Sequence, residues 1–265
     1  MQLNDATFLR FSNWMRERAG VNLPLEKKPL LQQRLLKRLN ARKVSSYEAY
    51  LRILGDPRED HEREMAIDLL TTHETFFFRE SKHFDWLRDT VRQQFDSRPL
   101  HIWSAACSSG EEVWSLAMLL ADVRGLDADW RITGSDISLP VLEKARMAHY
   151  PLTRTEGIPQ PYLKAWCLKG VGSQHGTLLI DPALRKKADF LQVNLAQALP
   201  AIGPFQIVFM RNVLIYFDVP TKLAIIERVM SRIAHHGYLV VSHSESLQGL
   251  CPGLQALRPG VYKKL

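Results

Sequence analysis

Residues 101–112, HIWSAACSSGEE, decide the fold. The first four read as a short apolar strand, residues 104–110 as a loop of small side chains, and a helix is expected to begin near Glu111. A strand that turns into a helix through small residues lets a ligand approach the backbone closely. In an open α/β sheet the carboxyl ends of the strands are where ligands sit. The loop has a single glycine, Gly110, so the G-x-G-x-x-G dinucleotide fingerprint is absent. Glu111 and Glu112 would repel a pyrophosphate. They suit a ligand with a positive group such as an ammonium, or they simply complement the helix dipole.

Working outward, the same alternation repeats. Apolar runs (WRITGSD, PFQIVFM, GYLVVSHS) alternate with helical patterns (EEVWSLAMLLADV, LPVLEKARMAHY, VPTKLAIIERVMSRIA) from about residue 99. That rhythm predicts an α/β domain with a parallel sheet, and GVYKKL reads as a closing strand. Residues 150–187 break the rhythm with four prolines and four glycines and are expected to form an inserted subdomain. Residues 1–92 show only helical spacing. The boundary is expected near residues 93–98, giving a helical domain at 1–92 and an α/β domain at 93–265.

Composition agrees. The 265 residues are 46% hydrophobic and 24% charged, which excludes wholesale disorder, collagen and coiled-coil rods. No apolar run approaches the roughly 20 residues of a membrane span, and the start lacks the pattern of a secretory signal. Three dispersed cysteines offer neither a disulfide framework nor a zinc pair, so a reduced, cytoplasmic setting is expected. The net charge of +7 is concentrated in residues 21–46, which hold seven basic residues against one acid, Glu26. On a helix, Arg34, Lys37, Arg38 and Arg42 share one face. The face is either merely solvated or a docking surface for an acidic partner. No RNA-binding aromatic signature accompanies it, which favours a protein partner over nucleic acid.

Three further stretches carry candidate chemistry. Asp136 ends the next apolar strand, where an acid can accept hydrogen bonds from ribose hydroxyls or can cap the helix near Ser138. In TTHETFFFRE (71–80), Phe76, Phe77 and Phe78 read as a hinge or a water-excluding lid. Arg79 reads as a carboxylate clamp or as the partner of a nearby acid. In FQIVFMRNVLIYF (205–217), Arg211 and Asn212 follow a strand's carboxyl end, with Tyr216 about one turn on. His235 and His236 suggest a helix end, and His243 lacks a matching ligand cluster, so no metal is expected. The G-x-S-x-G elbow of serine hydrolases is absent.

Taken in order, TTHETFFFRE, WSAACSSGEE, GSDIS, VNL, FMRNVLIYF and HSES resemble the CheR-type chemoreceptor glutamate methyltransferases over almost the whole chain. The resemblance implies a class I S-adenosylmethionine (SAM) methyltransferase domain, Rossmann-like, with a small inserted β-subdomain and a preceding all-helical domain. It implies methylation of glutamate carboxylates on chemoreceptors, with SAM as cofactor, S-adenosylhomocysteine as product, no metal and no membrane insertion. By position it implies cofactor contacts at His73, Thr75, Arg79, Glu112, Asp136, Asn194, Leu195, Arg211 and Asn212, and an active-site role for Arg79 and Tyr216. It also implies a receptor-docking role for Arg34, Lys37, Arg38 and Arg42. The segment LKGVGSQHGTLLI is similar in length to that of members that dock on a receptor's C-terminal tether. His73 stands where asparagine is usual, and Val113-Trp114 replace Pro-Tyr.

Overall fold

A computed structural model describes residues 2–265. The chain opens with helices α1 (Asp5–Ala19), α2 (Lys28–Ala41), α3 (Tyr47–Gly55), α4 (Asp60–Leu70) and α5 (Lys82–Gln94). Next come β1 (Leu100–Ala105), α6 (Glu111–Arg124), β2 (Trp130–Asp136), α7 (Leu139–Met147), β3 (His149–Pro151), α8 (Gln160–Trp166), β4 (Cys167–Lys169), β5 (Thr177–Ile180), α9 (Pro182–Arg185) and β6 (Ala188–Gln192). The chain closes with β7 (Phe205–Phe209), α10 (Val219–Met230), β8 (Ile233–Val240), β9 (Leu254–Arg258) and β10 (Val261–Lys264).

The main sheet has the order β6-β2-β1-β7-β8-β10-β9. Its first five strands are parallel, and β10 runs antiparallel to both β8 and β9. Strands of period two bury alternate residues on opposite faces. Leu100 and Ile102 of β1 join the core beneath α5 and α6, whereas Trp103 and Ala105 join the core beneath α10. With both faces covered, the strands read as nearly continuous apolar runs. From β1 the chain proceeds through β2 toward β6 on one side and, later, through β7 toward β8 on the other. The order therefore reverses between β1 and β7, and a crevice opens at such a switch point.

The expected insertion is a small antiparallel sheet, β3-β5-β4. Two other expectations need correction. The division at residues 93–98 does not match the packing. Phe84, Trp86, Leu87 and Val91 of α5 lie in the sheet's core, whereas the separate helical core runs from Leu3 to Leu70. By packing the boundary falls near residue 71. His235 and His236 do not end a helix. They lie within β8, where His236 takes a positive φ of 61° and the register with β7 slips.

Candidate active site

The loop after β1 curls tightly: Ala106, Ser108 and Gly110 take φ of 65°, 51° and 94°. Gly110 is required on two counts. Its φ is costly for a side chain, and an added Cβ would lie 2.8 Å from Ala145 Cβ of α7. The curl aims the Ser108 N–H at Asp136 Oδ2 (2.9 Å), while the Ser138 N–H reaches Oδ1 (3.1 Å). Asp136 is thus held at the crook of β1 and β2, and burial pushes its pKa above the ordinary carboxylate value despite those bonds. The capping alternative falls to its neighbour: Ser138 caps α7.

The two acids opening α6 diverge. Glu111 turns away, accepting from Ser109 Oγ (2.7 Å) and pairing with Arg154 at 2.5 Å. Glu112 faces the crevice, held by Ser104 Oγ (2.7 Å) and Arg211 Nη1 (2.9 Å). Arg211, at 2% side-chain exposure, also lies 3.3 Å from Glu80 and donates to the carbonyl of Arg79. It is a buried strut joining three segments.

The segment between α4 and α5 crosses the crevice mouth. Its phenylalanines part ways. Phe77 packs edge-on to Tyr150 and Phe78 stacks on Tyr162, tying the segment to the subdomain. Phe76 remains 48% exposed beneath the Arg79 guanidinium, 5.4 Å from its ring centre. Arg79 donates to Glu74 O (3.0 Å) and has no acid partner among the described residues. The alternative in which Arg79 pairs with an acid is therefore not what the fold adopts; Arg211 fills that role. His73 Nε2 lies 2.8 Å from Thr71 Oγ1 and 3.3 Å from Asp68 Oδ1. Burial opposes its protonation, but the Asp68 hydrogen bond and the charges of Asp136 and Asp68 outweigh it, and its pKa rises.

All ten residues singled out for cofactor or acceptor (His73, Thr75, Arg79, Glu112, Asp136, Asn194, Leu195, Arg211, Asn212 and Tyr216) line one cavity of about 390 Å³. Asn194, however, already spends its amide on Arg18 O (2.6 Å) and the Ala196 N–H (3.0 Å). The sequence reading missed the opposite wall, residues 19–30 of the helical layer, including Lys27 and Leu30. The layer reaches the sheet at Gly20, where a Cβ would meet Ala196 Cβ at 2.6 Å. Glu245 was also missed as a site residue. It is buried and accepts the N–H groups of Asn212 (2.8 Å), Ser242 (3.1 Å) and Ile215 (3.2 Å), fixing the loop that carries Arg211, Asn212 and Tyr216. Its position in HSES was the available signal.

The basic face of α2 requires a correction. Its acids come from α4 and the residue that precedes it. Arg38 forms a forked pair with Glu62 (2.9 and 2.5 Å), and Arg42 pairs with Glu59 (2.6 Å). Arg34 caps the end of α4 at Leu69 O (3.1 Å) and Thr71 O (2.8 Å). Of the four residues only Lys37 stays exposed and without an ion pair among the described residues.

The donor set suits SAM. Carboxylates at Glu112 and Asp136 match an ammonium and a pair of hydroxyls, and Ile137, Val193 and Leu195 offer an apolar wall for a flat ring.

A family model described as "CheR methyltransferase, SAM binding domain" matches residues 73–257, and one described as "CheR methyltransferase, all-alpha domain" matches residues 6–71. Chemotaxis protein methyltransferase 2 of Pseudomonas aeruginosa is 39% identical, covering 86% of this chain and 81% of its own. The chemotaxis protein methyltransferase of Escherichia coli is 36% identical, covering 94% and 87%. Chemotaxis protein methyltransferase 1 of Vibrio cholerae is 32% identical, covering 99% and 98%.

Proposed function

The chain belongs to the CheR methyltransferase family, and we propose that it methylates glutamate side-chain carboxylates of chemoreceptors, using SAM held in the crevice between the helical layer and the sheet. The observation that carries this reading is the convergence of ten residues from separate motifs on one cavity.

Bound SAM supplies the electrophile, a methyl group on a sulfonium whose departure needs no metal. The chain's own residues bind, align and dry the site. Asp136 accepts from the ribose hydroxyls, and Glu112, steadied by Ser104 and Arg211, receives the ammonium. Arg79, whose guanidinium has no acid partner among the described residues, orients the acceptor carboxylate, and Tyr216 lines the same cavity. Phe76 excludes water there. A glutamate is ionised at neutral pH, so no general base is required. Orientation can supply up to about 7–11 kcal/mol in favourable systems.

The acceptor is a chemoreceptor's cytoplasmic domain. On α2 the docking contact reduces to Lys37, with exposed Gln33, Leu36 and Asn40 around it. The small sheet suits a receptor's C-terminal tether, because Met147, Leu168 and Val171 form an exposed apolar edge. No helix among the described residues is long and apolar enough to cross a membrane.

The test incubates the protein with methyl-labelled SAM and receptor cytoplasmic domains and treats the product with alkali. An ester releases the label as volatile methanol. Label that stays with the protein, or no heat on titrating SAM, overturns the proposal.

A further inference from the structure

Behind the cavity lies a second cluster that methyl transfer does not use. Glu80, His83 and His243 each bring one ligand atom, and these lie within 4.8 Å of one another. The sequence offered His243 no matching ligand cluster; the fold places Glu80 and His83 beside it. The fold brings them from the start of α5, far away in sequence. Glu80 Oε2 is 3.3 Å from His83 Nδ1 and 3.7 Å from His243 Nδ1. Ligand atoms of a tetrahedral zinc site, each about 2.0–2.1 Å from the ion, stand about 3.3–3.4 Å apart.

A second observation is independent of that spacing. His83 is 1% exposed; its ring packs against the Pro259–Gly260 backbone on one side, while its Nδ1, 3.3 Å from Glu80, is left without a well-aligned hydrogen bond. Such groups are rare in folded proteins and call for an explanation. His243, with 39% of its side chain exposed, leaves an entry path.

From this geometry we propose that Glu80, His83 and His243 form a site for a divalent transition cation of the zinc type. Two imidazoles and one carboxylate favour zinc, cobalt or nickel over magnesium or calcium. The Glu80 oxygen facing both imidazoles is also the one 3.3 Å from Arg211. A bound cation competes with Arg211 for that oxygen and repels its charge. Arg211 in turn steadies Glu112. Filling the site therefore weakens SAM binding. This last step rests on the reading of the cavity above; cation binding does not.

The experiment titrates the metal-free full-length protein with cobalt(II), followed by its visible absorption, and then with zinc by calorimetry. One equivalent of cobalt should give the strong bands of a low-coordinate site. His243→Ala, outside the cavity and half-exposed, should retain basal methylation and weaken cation binding about tenfold or more. A His235→Ala/His236→Ala variant should bind as the parent does. Zinc should weaken SAM affinity at least about fivefold in the parent and not in His243→Ala. Absence of binding, binding unchanged by His243→Ala, or binding lost with His235 and His236 overturns the site. Binding with SAM affinity unchanged overturns the coupling to Arg211, whatever the outcome of the receptor assay.

Discussion

Arg211 Nη1 and Glu112 Oε2 stand 2.9 Å apart at the floor of the cavity, with the arginine side chain 2% exposed. The pair links β7's end to the first turn of α6, and the same guanidinium reaches Glu80. Removing one partner of a buried pair leaves an uncompensated charge, at a cost of about 3–5 kcal/mol. Arg211→Ala should therefore lower the midpoint of chemical denaturation and weaken SAM binding together. A variant as stable as the parent would show that the strut is dispensable.

Arg79 should behave in the opposite way. It has no acid partner among the described residues, so Arg79→Ala leaves the unfolding midpoint nearly unchanged. Losing a charge-assisted hydrogen bond to the acceptor costs about 1.5–3 kcal/mol, roughly a ten- to hundredfold fall in methylation. Arg79→Lys should recover part of it. Label transfer close to the parent's in Arg79→Ala would remove Arg79 from the acceptor site.

On α2, Arg38 and Lys37 are adjacent and should respond differently. Arg38 neutralises Glu62, which is 1% exposed and also takes the Tyr50 hydroxyl at 2.5 Å. Arg38→Glu should destabilise the helical layer by about 3–5 kcal/mol, read by thermal unfolding. Lys37→Glu should leave the unfolding curve in place and slow methylation of receptor domains at low ionic strength. Equal effects of the two on stability would contradict the ion-pair map.

The strand–loop–helix at residues 101–112, the parallel strands and the residues at their carboxyl ends were legible, because small loop residues and short apolar runs are local features of the chain. The side on which a helix docks was not. The pattern of α5 indicates a buried face, but sequence spacing does not say that the face meets Leu100 and Ile102 rather than the helical core. The arginines of α2 looked unopposed because Glu59 and Glu62 lie 17 to 24 residues on, at the start of another helix. His243 looked isolated because its partners are some 160 residues earlier. Strand β9 is mostly exposed and carries no alternation to betray it.

Glu245 tests whether the 211–216 loop must be held from behind. Its two oxygens accept three backbone N–H groups and face no cation among the described residues. In Glu245→Gln the amide nitrogen would oppose an N–H donor, leaving buried groups unpaired at about 1–3 kcal/mol. Stability should fall by that amount, and the KM for SAM should rise. A Gln variant matching the parent in both would mean the loop holds itself.

His73 and His83 give the fold two pH limbs of opposite sign. The His73 pKa is raised above 6.5, so the folded state binds its proton more tightly than the unfolded state. That stabilisation is complete below about 6.5 and is lost as pH rises through the raised value. The groups facing it are Asp68, Thr71 and Asp136. The His83 pKa is lowered to about 4, so its contribution is complete above about 6.5 and is lost as pH falls toward 4. Denaturation midpoints measured across this range should decline on both sides of about pH 6.5 in the parent. His73→Asn should flatten the alkaline limb, because Asp68 and Asp136 then have no cation to lose. An alkaline limb that survives in His73→Asn would assign it to another group.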